Sequence, residues 1–407
     1  MVTDPGLTLP REDSPGSGYS GEHVSMFVPL LSKAQIEDLP ARAREVVEYR
    51  KSGLSLNHIQ GCPLDCAYCI RHTCGLWDQR APRALMPDEA AVEQLVTHRY
   101  FQADVTPLQI LNRATDPFLP IVRPHTLAVL NDLDARGLRN HVLVITRHQM
   151  KPQDIGSLDK LVNIKLTLLF TYSGIDDKRI EPYPSHVAAE SLKLMSAQLS
   201  RRYRTILYWR PLVPGLNDSD EHLQRARGLS QHADATVFTG LFYRDQIAAY
   251  YRANGLREPY DQTARRKIVP ETLERRVLTA FADSASLFRK TSCAVSHAHG
   301  LPDYNGHYGI RELCDICPLS QLDLCRSAHR VPTAARIREV ASALPEADGL
   351  VVTGITSRAA MVSGLAAEQP RYYLQDALNF QVHDAAYPHY PRRHGRADLG
   401  WKATPDD

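Results

Sequence analysis

The stretch "GCPLDCAYCI", residues 61–70, places three of the chain's eight cysteines in one short loop. The cysteines are Cys62, Cys66 and Cys69, so three residues separate the first pair and two residues separate the second pair. Gly61 and Pro63 provide a turn that a straight helix or strand cannot make. Such a loop can direct three thiolates onto one face of an iron–sulfur cube, which leaves the fourth iron open to a small molecule.

A structural zinc site is the alternative interpretation of this loop. Its fourth ligand would be Cys74 or a nearby histidine, His58 or His72. Zinc knuckles usually combine two Cys-x-x-Cys pairs, whereas this loop offers one such pair and an offset third thiol. The spacing therefore favours the iron–sulfur interpretation.

The composition is that of a globular protein. Hydrophobic residues make up 43% and charged residues 23% of the 407 residues, and 48 basic against 46 acidic residues leave a net charge of +2. This balance does not require a nucleic-acid partner. No run reaches the ~18 consecutive apolar residues that cross a bilayer. Eight cysteines without a secretory signal favour metal or redox chemistry, so we expect a cytoplasmic protein with no membrane contact.

The segment "CPLDCAYC", with Tyr68 directly before its last cysteine, resembles the cluster-binding motif of the radical S-adenosylmethionine (SAM) superfamily. The resemblance implies that Cys62, Cys66 and Cys69 hold a 4Fe-4S cluster whose open iron binds SAM, and that Tyr68 lies near the adenine. It also implies reductive cleavage of SAM to a 5'-deoxyadenosyl radical, with a flavodoxin or ferredoxin as electron donor. Cys74 lies outside the motif, and we interpret it as a buried structural thiol.

Alternating strand and helix patterns predict an α/β fold. Largely apolar runs, typical of buried parallel strands, predict six strands. These cover 54–59, 107–111, 141–146, 164–172, 204–213 and 235–241. Helical periodicity predicts helices at 86–101, 123–137, 185–200, 219–231 and near 270–290. The resemblance implies a partial, six-stranded β/α barrel with the cluster loop after its first strand.

Polar residues that follow the strands are candidates for SAM contacts, because β/α barrels place their chemistry at the carboxyl ends of the strands. The superfamily usually has a Gly-Gly-Glu-like stretch after the second strand, which this chain lacks. Its "NRATDP" segment (112–117) instead resembles the equivalent turn of the spore-photoproduct-lyase-like branch. That resemblance suggests Asn112, Thr115 and Asp116 for the amine and ribose contacts. An ordinary turn or helix cap is an equally weighted role for Asp116.

Two arginines follow the third and fifth strands. The guanidinium groups of Arg147 and Arg210 suit the SAM carboxylate or an anionic substrate, through paired hydrogen bonds. Each arginine is equally compatible with a structural ion pair. Tyr243 and Arg244 follow the sixth strand and are candidates for shaping the adenine or substrate side.

A second cysteine group lies more than two hundred residues downstream, at Cys293, Cys314, Cys317 and Cys325. Four thiols can close the coordination shell of a structural zinc or of an auxiliary 4Fe-4S cluster. The Cys-x-x-Cys-Pro run is common in ferredoxin-type sites, and the resemblance also favours the cluster. Three intervening histidines, His297, His299 and His307, are more plausible as surface or supporting groups than as ligands, although any of them could replace a cysteine.

We expect four parts: a disordered leader (1–22), the barrel (23–290), an auxiliary-cluster segment (291–330) and a small α+β extension (331–407). The extension is predicted to hold a helix in "PTAARIREVASAL", a strand in "GLVVTGI" and a short helix in "SRAAMVSGL". The closing stretch, 381–402, is interpreted as a packed terminal arm. The alternative is a substrate-binding role for Tyr387, His389 or Arg393.

The function that follows is a radical SAM enzyme that removes hydrogen from a small-molecule, sugar or nucleotide-type substrate, in an oxidation, cyclisation, rearrangement or sulfur insertion, for instance in natural-product biosynthesis. The second cluster would aid that reaction. Modification of a nucleic acid or peptide is the alternative within the family. Rivals from other classes are a non-enzymatic zinc-dependent nucleic-acid-binding protein and an electron carrier with two fully ligated clusters.

Overall fold

The structure is a computed structural model that describes residues 28–386, apart from 51, 265, 266, 268, 284, 285 and 366. The predicted leader therefore lies outside the described residues. The same holds for most of the closing stretch, including Tyr387, His389 and Arg393.

The strands fall into three sheets, of eight, three and two strands. In chain order they are β1 (Val47–Arg50), β2 (Gly53–Leu56), β3 (Ile59–Gln60), β4 (Arg83–Ala84), β5 (Leu108–Ile110), β6 (His141–Thr146), β7 (Lys165–Tyr172), β8 (Arg204–Leu212), β9 (Ala235–Gly240), β10 (Leu287–Phe288), β11 (Val351–Ile355), β12 (Ala359–Ser363) and β13 (Gln381–Asp384).

The α-helices alternate with the strands through the first part of the chain and cluster after β10. In chain order they are α1 (Lys33–Glu37), α2 (Ala41–Arg44), α3 (Asp88–Val96), α4 (Arg123–Ala135), α5 (Pro152–Asp159), α6 (Ser185–Ser196), α7 (Asp220–Ser230), α8 (Asp245–Ala253), α9 (Glu271–Ala280), α10 (Thr291–Ala298), α11 (Arg311–Cys314), α12 (Leu319–Ala328), α13 (Ala334–Ala341) and α14 (Glu368–Leu378). Short 3₁₀-helices span Ile70–Cys74 and Pro345–Ala347. No helix in the described ranges is long and apolar enough to cross a membrane.

The largest sheet has the order β1-β2-β5-β6-β7-β8-β9-β10. All neighbours from β2 to β10 are parallel, and β1 pairs antiparallel with β2. Sequential parallel strands joined by right-handed crossovers carry their connecting helices on one face. The sheet is therefore an open β/α barrel, with β1 and β10 as its edges in the described part of the chain. This confirms the predicted α/β class and partial barrel.

The two faces of this sheet have different partners. Leu207 and Trp209 of β8 belong to the large core cluster that also contains Leu192 of α6. The alternate residues, Ile206 and Tyr208, cluster instead with residues of α10. Because side chains of a strand alternate between faces, α10 packs on the concave face, opposite the connecting helices. The second cysteine segment thus fills part of the barrel interior.

The structure departs from the sequence prediction at two strands, β10 and β12. The helix predicted near 270–290 ends at Ala280, and Leu287–Phe288 adds a seventh parallel strand beside β9. The predicted short helix in "SRAAMVSGL" is wrong, because Ala359–Ser363 is the middle strand of the sheet β11-β12-β13. Its alanines favour helix intrinsically, but pairing on both edges and burial of Ala360 and Val362 outweigh that preference.

The C-terminal extension docks on β1. The hydroxyl of Tyr49 contacts the Asp376 carboxyl, and its ring stacks on Tyr372 with centroids 6.0 Å apart. The backbone N–H of Tyr49 donates to Gln369 Oε1 at 2.9 Å. Burial raises the pKa of Asp376 to about 8, from an ordinary value of 3.8. The extension is therefore held to the barrel by a carboxyl group that is protonated at neutral pH.

Asp376→Asn is expected to stabilise the protein at pH 8 and to have little effect at pH 4. The folded state keeps a proton on Asp376 that the unfolded chain releases, so stability falls as pH rises from about 4 to 8. The amide removes this dependence and should add about 1–3 kcal/mol to the free energy of unfolding at pH 8.

Urea unfolding of wild type and variant at both pH values measures the effect. The exposed Asp261 offers a control, since Asp261→Asn should change stability equally little at each pH. A gain from Asp376→Asn that is the same at pH 4 and pH 8 would contradict an ionisation linked to folding.

Candidate active site

The cysteine loop follows β3 and is fixed by its backbone. Gly61 has φ +100°, and a Cβ at this position would lie 2.1 Å from the carbonyl oxygen of Ala81. The N–H of Gly61 donates to the Ala114 carbonyl at 3.1 Å, and that of Cys62 to the Gln79 carbonyl at 3.0 Å. Only glycine fits this conformation and this close approach. The glycine conformation and these two hydrogen bonds therefore fix the position of the loop.

Three thiols of the loop, Cys62, Cys66 and Cys69, line one cavity of about 550 Å³. Cys74 is buried in a separate apolar cluster with Ala43, Leu76 and Ala114 and does not line that cavity. The structure thus separates Cys74 from the other three, in keeping with a packing role.

The proposed fourth zinc ligands are engaged elsewhere. His58 Nε2 lies 2.8 Å from Asp88 Oδ1, and the His72 ring stacks on Trp77 at 3.7 Å between centroids. A tetrahedral zinc also holds its thiolates about 3.8 Å apart, as bonds of about 2.3 Å require. Within the described residues, the potential ligand atoms that lie within 4.8 Å of one another form one trio elsewhere, described below. The loop geometry is therefore unlike that of a mononuclear zinc site.

Burial shapes the acidity of these thiols. It raises the pKa of Cys62 to about 11 and that of Cys66 well above the ordinary range. Arg147 opposes the shift at Cys66, because its guanidinium nitrogen donates to the sulfur at 3.2 Å. Without bound metal, Cys62 and Cys66 are therefore neutral thiols at neutral pH, and metal binding must release their protons.

Arg147 is the centre of a buried network beneath the loop. Its Nη1 donates to Tyr68 Oη at 2.7 Å and to Glu181 Oε1 at 2.7 Å. Glu181, which is 4% exposed, also accepts a hydrogen bond from the Tyr68 hydroxyl. Of the two roles left open for Arg147, the structure thus provides the ion pair. Glu181 was missed from the sequence, because it lies in the loop between β7 and α6 without a motif.

The 112–116 turn lines the same cavity at Asn112, Thr115 and Asp116. The Asp116 carboxylate accepts from Thr146 Oγ1 at 2.6 Å and from the N–H groups of Phe118 and Arg147 at 3.0 and 2.9 Å. It therefore ties the end of β5 to the end of β6. Thr115 Oγ1 is buried with no hydrogen-bond partner among the described residues, so it is available to a polar group in the cavity.

Arg210 follows Tyr208 by two residues on β8, and both side chains face the cavity. Tyr243 does not line it; this side chain packs in an apolar cluster and donates to Glu258 at 2.6 Å. Arg244 lies over the Phe242 ring at 5.7 Å. The structure thus brings nine sequence-predicted residues to one cavity and places Tyr243 outside it. The nine are Cys62, Cys66, Tyr68, Cys69, Asn112, Thr115, Asp116, Arg147 and Arg210.

The four cysteines of the second group come together around α10, α11 and α12. The backbone N–H of Cys317 donates to the Cys314 carbonyl at 3.1 Å, which closes the Cys-x-x-Cys turn. Burial raises the pKa of Cys293 well above its ordinary range, and Asp303 and the other three thiols raise it further. Four neighbouring groups that resist ionisation are a suitable ligand set for a metal centre that displaces their protons.

Two further residues border this group. Cys293 Sγ lies 3.9 Å from His307 Nδ1, which is 3.2 Å from Asp303 Oδ2. These three residues are the trio whose ligand atoms lie within 4.8 Å of one another. His307 therefore adjoins the second site, as the sequence left open, whereas His297 and His299 bind Ser286 and Thr167. Asp303 was not predicted, and only its position between Cys293 and Cys314 points to it.

Neither a protein-family model nor a curated protein matches the sequence. Solved structures similar to this chain include the following three. A spore photoproduct lyase complexed with dinucleoside spore photoproduct is 13% identical with a TM-score of 0.44, over 59% of this chain and 78% of that one. A radical SAM methyltransferase from Sphaerobacter thermophilus is 15% identical with a TM-score of 0.35, over 52% and 66%. Streptococcus suis SuiB bound to S-adenosylmethionine is 13% identical with a TM-score of 0.40, over 63% and 55%.

Arg147→Met is expected to destabilise the protein by about 3–5 kcal/mol, because it leaves the buried Glu181 carboxylate without a counter-charge. Adding Glu181→Gln to this variant should restore most of the loss. Urea unfolding of the metal-free protein measures both changes.

The exposed pair Arg179–Asp177 provides the matched control, and Arg179→Met should leave the stability nearly unchanged. If Arg147→Met costs no more than Arg179→Met, the buried pair does not support the cluster loop.

Proposed function

We propose that this chain is a radical SAM enzyme. The observation that carries the proposal is the placement of Cys62, Cys66 and Cys69, without Cys74, on a cavity at the carboxyl ends of parallel barrel strands. Three thiols on the cavity, with no fourth cysteine beside them among the described residues, fit a 4Fe-4S cluster with one open iron. The cavity has a volume typical of sites for small ligands.

In this proposal each loop residue has a separate task. Cys62, Cys66 and Cys69 hold the cluster, which supplies the electron that cleaves bound SAM to a 5'-deoxyadenosyl radical. Arg147 keeps Tyr68 and Cys66 in position through its contacts at 2.7 and 3.2 Å. Glu181 neutralises that guanidinium. The barrel walls exclude water from the reacting atoms.

The remaining polar groups of the cavity suit the SAM molecule. The partnerless Thr115 hydroxyl and the Asn112 amide are placed for its amine or ribose. Asp116 keeps lone pairs beyond the three hydrogen bonds that it already accepts. The rest of the cavity would hold the substrate, with one of its C–H bonds directed towards the bound SAM. A small molecule fits this enclosed space better than a macromolecule.

We further propose that Cys293, Cys314, Cys317 and Cys325 hold a second 4Fe-4S cluster. Their sulfurs are not all as close to one another as tetrahedral zinc requires, and the Cys-x-x-Cys-Pro turn is common in ferredoxin-type sites. A zinc ion that recruits Asp303 and His307 is the competing assignment. A flavodoxin or ferredoxin in the cytoplasm would supply the electrons.

Anaerobic purification with iron and sulfide counts, followed by incubation with SAM and dithionite, tests the proposal. We expect about eight irons per chain and formation of 5'-deoxyadenosine, because each cubane holds four irons. About four irons and one zinc would reassign the second site alone.

Matched cysteine variants identify the ligands of the first cluster. Cys66→Ala should lose about four irons and all SAM cleavage, whereas Cys74→Ala should keep both. If Cys74→Ala loses the first cluster, the protein is an electron carrier with four-thiolate ligation. Colourless protein with two zinc ions would indicate a structural zinc protein.

A further inference from the structure

The cavity that holds the cysteine loop is strongly basic on its other walls. Its basic lining side chains outnumber its acidic ones by nine to four. Most of the basic groups are neutralised by a carboxylate within ion-pair distance. These pairs are Arg42–Glu48, Arg113–Glu48, Arg147–Glu181, Arg71–Asp65 and Arg289–Glu274. The charge that remains belongs to a smaller set of residues.

Arg210 and Lys267 form no ion pair with any described residue, although both line the cavity. Arg50, at the end of β1, also lacks a carboxylate within ion-pair distance in the described part of the chain, and it lines the same wall. Lys267 lines the cavity and is exposed to solvent. Unpaired cations on the walls of a protein cleft attract an anionic ligand, because the cleft focuses their electric field.

These groups converge on one phenol oxygen. Lys267 Nζ lies 3.3 Å and Arg210 Nη1 3.4 Å from Tyr208 Oη. Thr291 Oγ1, at the start of α10, is 3.5 Å from the same atom. The Arg210 guanidinium also lies over the Tyr208 ring, 4.4 Å from its centroid. Three donors, from β8, from the segment before α9 and from the start of α10, thus surround the Tyr208 hydroxyl oxygen.

The pKa of the Tyr208 hydroxyl reflects the positive charges around it. Burial would raise the pKa of its hydroxyl, but Lys267 and Arg210 more than offset burial and lower the pKa to about 7. Burial lowers the pKa of Lys267, and the nearby Arg210 and Arg50 lower it further. A bound anion would relieve the repulsion among these cations.

We propose that Arg210, Lys267, Tyr208 and Thr291 bind the phosphate group of a phosphorylated small-molecule substrate. The ammonium and the guanidinium together match the charge of a phosphate monoester dianion. Donors that approach from several sides suit a tetrahedral oxyanion better than a planar carboxylate. The phosphate site thus identifies a class of substrate. That this substrate reacts in the cavity rests on the proposed function.

The proposed phosphate site gives different roles to Arg147 and Arg210, for which the sequence suggested the same role. Arg147 is paired with Glu181 beside the cysteine loop, whereas Arg210 keeps its charge for a ligand. The phosphate site therefore differs from the SAM site, although both open into one cavity. SAM and phosphate should bind together without competing.

Isothermal titration of the cluster-loaded protein with inorganic phosphate, in phosphate-free buffer, tests the site. We expect saturable binding at one site. Arg210→Gln and Lys267→Gln should each weaken binding about tenfold or more, because each removes a charge-assisted hydrogen bond. Lys267→Arg should retain affinity within about threefold, and Lys178→Gln, at an exposed lysine, should leave it unchanged.

Several results would overturn the assignment. These are absence of saturable phosphate binding, equal affinity in all the variants, tighter binding of acetate than of phosphate, and displacement of phosphate by SAM. Phosphate binding and SAM cleavage are measured separately. Protein that cleaves SAM but ignores phosphate would refute this site alone, and protein that binds phosphate but holds no iron would refute the proposed function alone.

Discussion

Parallel pairing of the strands from β2 to β10 is the constraint on which the rest of the molecule depends. It brings the carboxyl ends of all these strands to one edge of the sheet. Residues far apart in sequence, such as Asn112, Arg147 and Arg210, consequently line one cavity with the cysteine loop. The extension that docks on β1 adds Glu368 and Tyr372 to the lining.

Charge divides the cavity into two regions. Beside the cysteine loop, Arg147 is balanced by Glu181, so this region presents buried thiols and polar groups with little net charge. Around Tyr208 the cations have no such balance. Coulomb repulsion from the second region would direct a cofactor that carries a sulfonium to the first. The same cavity can thus receive a cationic cofactor and an anionic substrate without exchanging their positions.

Local sequence patterns were sufficient to predict the barrel strands and the cysteine loop. All six predicted strands lie in the sheet, because each is an apolar run long enough to be recognised. Leu287–Phe288 was missed since two residues carry no periodicity, and Ala359–Ser363 was predicted as helix since its strand pairing is tertiary. The parts of the site that lie in loops were also missed. Glu181 and Lys267 belong to no motif, and only folding brings them to Arg147 and Tyr208.

The second cysteine group lies beside the same cavity as the first cysteine loop. Helix α10 packs on the concave face of the barrel and begins at Thr291, which contacts Tyr208. Cys293 is two residues further along the same helix, and Ser292 between them lines the cavity and contacts His307 at 3.1 Å. A structural zinc could hold this segment from any surface position. Placement inside the barrel instead brings Cys293 within two residues of Thr291, which belongs to the proposed phosphate site. The second cluster that we propose would there be suited to accept an electron from the substrate, or to donate sulfur to it, after hydrogen has been removed.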